Sequence, residues 1–217
     1  MRSILVLNPK GGCGKSTLAM NIAAFFALQG HKTALADCDP QGSCNDWLAV
    51  RPEDRPTIYK ASISGKNTDK PRATDVLVID SPAATHGAKL VNLLKHAETV
   101  VVPVLPSAID MRAVEHFLQE LVEVKRVLQK KVKLATVANR VREDTLAAAK
   151  LENYLDHIKL PNGVKLQYMA ILRNSQNYVH AAEQGLSIFE LPPSRTYYDQ
   201  EQWDPLLRWL NSARSQP

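Results

Sequence analysis

The stretch SILVLNPKGGCGKSTLAMNIAAFFALQG, residues 3–30, limits what this chain can fold into more than any other part of it. An apolar run of strand length empties into Gly11, Gly12 and Gly14, followed at once by Lys15, Ser16 and a helical apolar pattern. Glycines at such spacing let the backbone bend until successive N–H groups converge on one point, and the helix starting near Lys15 brings its positive end to the same place. Strand, glycine turn and helix in succession is an arrangement that holds phosphate. Of the generic pattern GxxxxGK[ST], Gly14-Lys15-Ser16 fits, whereas Pro9 stands at the first glycine position. Lys15 supplies a point charge for the β and γ phosphates and Ser16 a hydroxyl for Mg2+. Lys10, Gly11, Gly12, Cys13, Gly14 and Thr17 complete the nucleotide-binding loop. Lys10 is surplus to holding phosphates within one subunit.

The remaining pattern predicts the layers around this loop. SILVLN (3–8), KTALAD (32–37), DVLVID (75–80), TVVVPV (99–104) and VKLATVAN (132–139) are continuous apolar runs, as in strands buried on both faces. Helical periods are expected after the loop, with Leu18, Ile22, Phe25 and Phe26 on one stripe and Gly30 as a stop, and again over 110–129, 143–157, 174–185, 196–202 and 205–213. A turn at LPNG (160–163) leads to a strand near 164–168. Alternation of strands and helices implies βαβ units, hence an α/β fold: a doubly wound, mostly parallel sheet flanked by helices, as one domain over residues 1–217. The polar segment 51–75 reads as a long irregular connection with a short edge strand at 57–61.

Carboxylates recur where strands end. In ADCDPQGS (36–43), strand alternation would send Asp37 and Asp39 to the same side, at the sheet edge where open α/β folds bind nucleotides. One can steer the hydration of Mg2+ through retained waters, and the other is free to orient an attacking water. VLVIDSPA (76–83) ends its apolar run at Asp80, the form of an acid that contacts the metal shell.

Composition removes several alternatives. Of 217 residues, 45% are hydrophobic and 23% charged, as in an ordinary globular chain, and no apolar run is long enough to span a membrane. The N-terminus enters a strand pattern directly, so no signal peptide is expected. Cys13, Cys38 and Cys44 are an odd count without zinc-like spacing, which argues against a disulfide framework and fits a reducing cytosol. A formal net charge of +5 permits contact with nucleic acid without requiring it.

KGGCGKS (10–16), DCDPQG (37–42) and the strand ending in Asp80 together resemble the ParA/MinD superfamily of ATPases, whose phosphate loop is the deviant Walker A form of the P-loop NTPases. The resemblance extends over nearly the whole chain and implies a short ParA-type protein with ATP and Mg2+ as cofactors. By that likeness, Lys10 reaches in trans to the nucleotide of a partner subunit while Lys15 acts in cis. Asp37 supports the metal shell, Asp39 positions the hydrolytic water, and Ser16 and Asp80 contact Mg2+. VANRV (137–141) resembles the adenine-side strand end, with Asn139 near the base. ILRN…A…G (171–185) resembles the family segment IPRN…A…G, departing from it at Leu172.

The partners implied are an ATP-dependent homodimer, nonspecific DNA, and an adaptor protein on a cargo that stimulates hydrolysis. The cargo would be a plasmid, a chromosome region or a protein body such as a carboxysome. The location implied is cytoplasmic, and nucleoid-associated in the ATP-bound state. Arg173, Arg142 and Lys165 are the first candidates for DNA contact, with Arg140, Lys150 and the cluster Lys125, Arg126, Lys130, Lys131 and Lys133 behind them. Two other readings stay open: a MinD-like membrane-associated regulator and a metabolic P-loop enzyme of the dethiobiotin synthetase type. For the first, the tail DPLLRWLNSARSQP (204–217) has an apolar face about one turn long with two arginines, so docking on the core is expected instead.

Overall fold

The computed structural model describes residues 1–129, 131–160, 163 and 165–217. Its strands are β1 (Arg2–Val6), β2 (Thr33–Asp37), β3 (Ile58–Ser64), β4 (Asn67–Asp69), β5 (Val76–Asp80), β6 (Thr99–Val104), β7 (Lys133–Val141) and β8 (Gln167–Arg173). The helices are α1 (Lys15–Leu28), α2 (Ser43–Ala49), α3 (Gly87–His96), α4 (Ala108–Val127), α5 (Leu146–His157), α6 (Asn177–Glu183) and α7 (Pro193–Asn211). All strands join one sheet in the order β4-β3-β2-β5-β1-β6-β7-β8, parallel except at β3–β4.

This order fixes where a ligand can sit. From β1 the chain leaves through α1 toward β2, and from the adjacent β5 it leaves through α3 toward β6, in the opposite direction. The two helices cover opposite faces: α1, α2 and α7 pack into one apolar cluster, and α3, α4 and α5 into the other. A crevice therefore opens at the carboxyl ends of β1 and β5, the place where doubly wound sheets bind ligands. The continuous apolar runs are buried as expected; β5 and β6 are buried at every residue.

Several elements differ from the sequence reading. Helix α1 is no stripe, because residues 18–24 are all buried along with Phe26 and Ala27, in one cluster with the sheet and α7. The polar connection folds partly into an antiparallel hairpin, with Ser64 opposite Asn67 across Gly65-Lys66. Helices α2 and α3 were not expected. The first is too short to show a period, and the second buries only Leu90, Leu93 and Leu94.

Strand β8 runs to Arg173 instead of ending near Tyr168. Pro161, Asn162 and Val164, part of the expected turn and strand start, lie outside the described residues. The expected break at Asp204-Pro205 does not occur; α7 continues through an exposed Pro205. A proline inside a helix costs about 3 kcal/mol. Trp203, Leu206, Leu207, Trp209 and Leu210 are buried across that position, and each large apolar side chain removed from water returns roughly 1.5–3 kcal/mol. The tail's apolar face is thus spent on the core.

Candidate nucleotide site

Register sets the site's carboxylates side by side. Asp80 at the end of β5 is level with Val6 of β1 on one side and Asp37 of β2 on the other. The glycine loop leaves β1 at this point and is braced from neighbouring strands. Asn8 Nδ2 donates to the Pro103 carbonyl at 2.6 Å, while its Oδ1 accepts from Lys10 N at 2.9 Å. Asn139, at the end of β7, donates to the Cys13 carbonyl at 2.7 Å, and Arg140 Nη1 to the Gly12 carbonyl at 3.1 Å. Ala84 N donates to the Pro9 carbonyl at 2.8 Å, tying the segment after β5 to the same loop. Gly14 has φ 90°, and a Cβ there would lie 2.2 Å from Asn139 Nδ2. Only glycine fits that approach.

The two lysines take different courses. Lys15 is 6% exposed, and its Nζ donates to the Lys10 carbonyl at 2.9 Å, curling inside the loop. Cys13 Sγ lies on the same carbonyl at 3.3 Å. Lys10 therefore has its backbone pinned at both N–H and C=O, while its ammonium has no hydrogen bond or ion pair among the described residues.

Strand β2 ends at Asp37, so Asp39 lies in a bend and the alternation argument does not apply to it. Asp37 accepts backbone N–H groups from Asp39 at 3.1 Å, Cys44 at 2.9 Å and Asn45 at 3.0 Å, and so caps the N-terminus of α2. Asp39 accepts from Gln41 N at 3.0 Å within its own turn.

Asp80 is fully buried. One carboxylate oxygen accepts from the Cys44 thiol at 3.3 Å, and Ser16 also hydrogen-bonds to the carboxyl. Burial pushes the acid up to about 6, against those two hydrogen bonds. Its Oδ1 is buried without a partner, as are Ser81 Oγ and Asn45 Oδ1 nearby. Unpaired buried oxygens beside the Ser16 hydroxyl are a donor set that suits a hard cation. Among the described residues, no group of three or more His, Cys, Asp or Glu could hold a metal ion. Oxygens from phosphate and water would have to complete such a shell, which is the manner of Mg2+.

A cavity of about 270 Å3 adjoins the loop, lined by Thr17, Asn139, Arg140, Arg173 and Tyr178 among others. Asn139 thus both props the loop and borders this space. Arg173, the first candidate for DNA contact, is engaged within its own chain. Its Nε donates to Asp199 Oδ1 at 2.6 Å, and its guanidinium stacks 4.9 Å over the Tyr198 ring. Asp199 is fully buried and also accepts from Ser175 and Asn177, so the arginine neutralises a buried acid. Its hydrogen bond to Asp199 is what raises the guanidinium's pKa further.

Nor do the three expected DNA contacts form one patch. Arg142 is exposed just beyond the carboxyl end of β7, while Lys165 is exposed before the start of β8, at the opposite edge of the sheet. Seven residues of strand put roughly 20 Å between those edges. Lys125, Arg126, Lys131 and Lys133 line a surface cavity together, and Lys133 begins β7 at the edge where Lys165 lies. Lys130 lies outside the described residues.

Sequence reasoning missed Asn8 and Asp199, the meeting of Cys44 with Asp80, and the brace that Arg140, expected only as a candidate for DNA contact, gives the loop. Asn8 carried a usable signal, an amide at a strand end directly before the loop. Cys44 carried none, since nothing local separates a thiol that packs from one that meets a carboxylate.

Comparisons with known proteins agree with this geometry. A family model described as CobQ/CobB/MinD/ParA nucleotide binding domain matches residues 4–188. Maintenance of carboxysome distribution protein A of Halothiobacillus neapolitanus is 26% identical over 196 residues, covering 87% of either chain. Chromosome-partitioning ATPase Soj of Thermus thermophilus is 29% identical over 208 residues, covering 80% of this chain and 82% of its own. Apo McdA of Cyanothece superposes with a TM-score of 0.75 at 14% identity, covering 98% of this chain and 100% of that one. An ATP complex of a substituted McdA from Cyanothece gives 0.69 at 15% identity, over 95% and 96% of the two chains. At such identities the solved structures speak for the fold. Among the described residues, no helix is long and apolar enough to cross a membrane.

Proposed function

The chain belongs to the CobQ/CobB/MinD/ParA nucleotide-binding family, and from that premise we propose that it is a ParA-type ATPase that positions an intracellular cargo. ATP lies along the loop with its phosphates on the N–H groups around Gly11–Lys15 and on the start of α1. Lys15 exchanges the Lys10 carbonyl for phosphate oxygens. Ser16 and Asp80 would hold a magnesium ion, with Asp37 beside them, and the ion would supply positive charge to the bound phosphates. Asp39, free of any strand, orients the attacking water from the turn after β2. Asn139 and the adjoining cavity take the base side.

One observation carries the reading furthest: Lys15 turns into its own loop, whereas the ammonium of Lys10, on a pinned backbone, has no hydrogen bond or ion pair among the described residues. A cation so placed is suited to the nucleotide of a second subunit, where it offsets charge that develops during phosphoryl transfer. ATP then closes a sandwich dimer, the dimer binds DNA without sequence preference, and an adaptor on the cargo stimulates hydrolysis and release. Work of this kind places the protein in the cytoplasm, on the nucleoid while ATP is bound. A plasmid, a chromosome region or a protein body fits that cycle, and the carboxysome-distribution relative supports the last of these.

The test is fluorescence anisotropy with random-sequence DNA in ATP and in ADP. Binding in ATP, loss in ADP, and a linear fall of log affinity with log salt are expected. Equal binding in both nucleotides, or ATP-dependent binding to anionic vesicles in place of DNA, contradicts the reading.

A further inference from the structure

The sheet has an open edge at β8, which pairs with β7 alone. The outward backbone groups between Tyr168 and Leu172 have no hydrogen-bond partner among the described residues; only at the upper end does a side chain intervene, where Arg173 N donates to Gln202 Oε1 at 2.9 Å. Helix α5 flanks this edge on one face of the sheet and α7 on the other. Between them runs a groove of about 630 Å3, with residues 168–171 as its floor and Ala148, Glu152, Tyr198 and Gln202 among its walls.

The groove's chemistry is one-sided. Glu143, Asp144 and Glu152 line it, and no lysine or arginine does among the described residues, Arg173 lying against the wall residue Tyr198 instead, on a chain whose net charge is +5. Glu143 is tied to α7 by Tyr198 Oη at 2.6 Å and Gln202 Nε2 at 3.1 Å, whereas no side-chain hydrogen bond or ion pair holds Asp144 or Glu152 among the described residues. The Tyr168 hydroxyl is buried without a partner among the described residues. Met169 and Ile171 add half-buried apolar surface.

An exposed strand edge is a template for another strand, and folded proteins usually blunt or cover it. A second copy is a poor occupant, because pairing β8 with itself would bring like acids together. We propose that this groove docks an extended basic segment of another protein, with Lys or Arg alternating with apolar residues, added to the sheet as a ninth strand. Its backbone pairs with β8, its cations meet Asp144 and Glu152, and its apolar side chains settle beside Met169 and Ile171. The proposal stands apart from the nucleotide site and needs no nucleotide.

The experiment uses the full chain and a capped peptide of four Lys-Val repeats, read by amide hydrogen exchange and titration. Saturable binding is expected, with exchange slowed only at residues 168–172. A peptide with Glu for Lys, and one N-methylated at every second residue so that it cannot donate along one edge, should each bind about tenfold or more weakly. Glu152→Lys and Asp144→Asn, both on exposed positions, should weaken the Lys-Val peptide severalfold. Equal affinity for the acidic or N-methylated peptide overturns the proposal, as does protection elsewhere. Slowing at β8 that grows with protein concentration before any peptide is added also overturns it, since a second copy would then be the occupant.

Discussion

Two buried carboxylates on this fold meet opposite fates. Glu190, whose side chain is 0% exposed, is paired by Arg51 through both oxygens at 2.6 and 3.1 Å, and also accepts the Ser187 N–H and hydroxyl at 2.8 Å each. Arg51 spends its remaining donors on the carbonyls of Gly185 and Pro56. Gly185 has φ 66°, and a Cβ there would lie 2.5 Å from Arg51 Cα, so the chain passes this close only with glycine. Asp80 is as deeply buried but keeps one oxygen unpaired, has no ion pair, and is held up to about 6 by its surroundings. A buried acid with both oxygens paired holds the fold together; one left short is a site waiting for charge.

Removing the satisfied acid should do the most damage to the fold. Glu190→Ala strands the Arg51 guanidinium in the interior and should cost about 3–5 kcal/mol of stability in denaturant titration. Nucleotide affinity of the protein that remains folded should not change. A mutant of normal stability would erase the contrast.

At the unsatisfied site the pattern reverses. Lys15→Ala should weaken ATP binding by about 2–5 kcal/mol, roughly thirty- to several-thousandfold by calorimetry, and leave the melting temperature nearly unchanged.

The smallest effect separates the two acids by sign. Asp80 is raised in the folded state, so its ionisation opposes folding: the penalty is absent near pH 4, grows between about 4 and 6, and is complete above 6. Asp80→Asn should therefore stabilise the nucleotide-free protein at pH 7, by about 1–3 kcal/mol, and give no gain near pH 4. Glu190 is lowered by Arg51 and Ser187 despite its burial, so its stabilisation is present at neutral pH and lost as pH falls. Denaturant curves at pH 4 and pH 7 measure both; an Asp80→Asn variant that gains nothing at pH 7 would mean the carboxylate is better solvated than its geometry shows.

The same contrast explains what could be read from the chain. The phosphate loop, the buried strands and the acids at their ends are local: glycine spacing, continuous apolar runs and a following Asp each carry a physical reason within a few residues. The Arg51–Glu190 pair spans 139 positions, and the Arg173–Asp199 pair 26, with no periodicity to announce either. That is why the sequence did not announce the engagement of Arg173 by Asp199. That Asp37 also caps α2 went unseen for the related reason that α2 is too short to declare itself. Pro205 misled in the opposite direction, because a local helix breaker was overruled by the apolar burial of Trp203 and Leu206 on either side of it.

The central claim is that the two lysines of one loop divide the labour, Lys15 for its own nucleotide and Lys10 for a partner's. Sedimentation velocity of Lys10→Ala with ATP tests it directly, with calorimetry on the same sample. The prediction is monomers at protein concentrations where the parent chain dimerises, with ATP affinity per monomer within about twofold of the parent, since the missing ammonium makes no hydrogen bond or ion pair among the described residues of its own subunit. A variant that dimerises normally, or one that loses ATP as Lys15→Ala does, would contradict it.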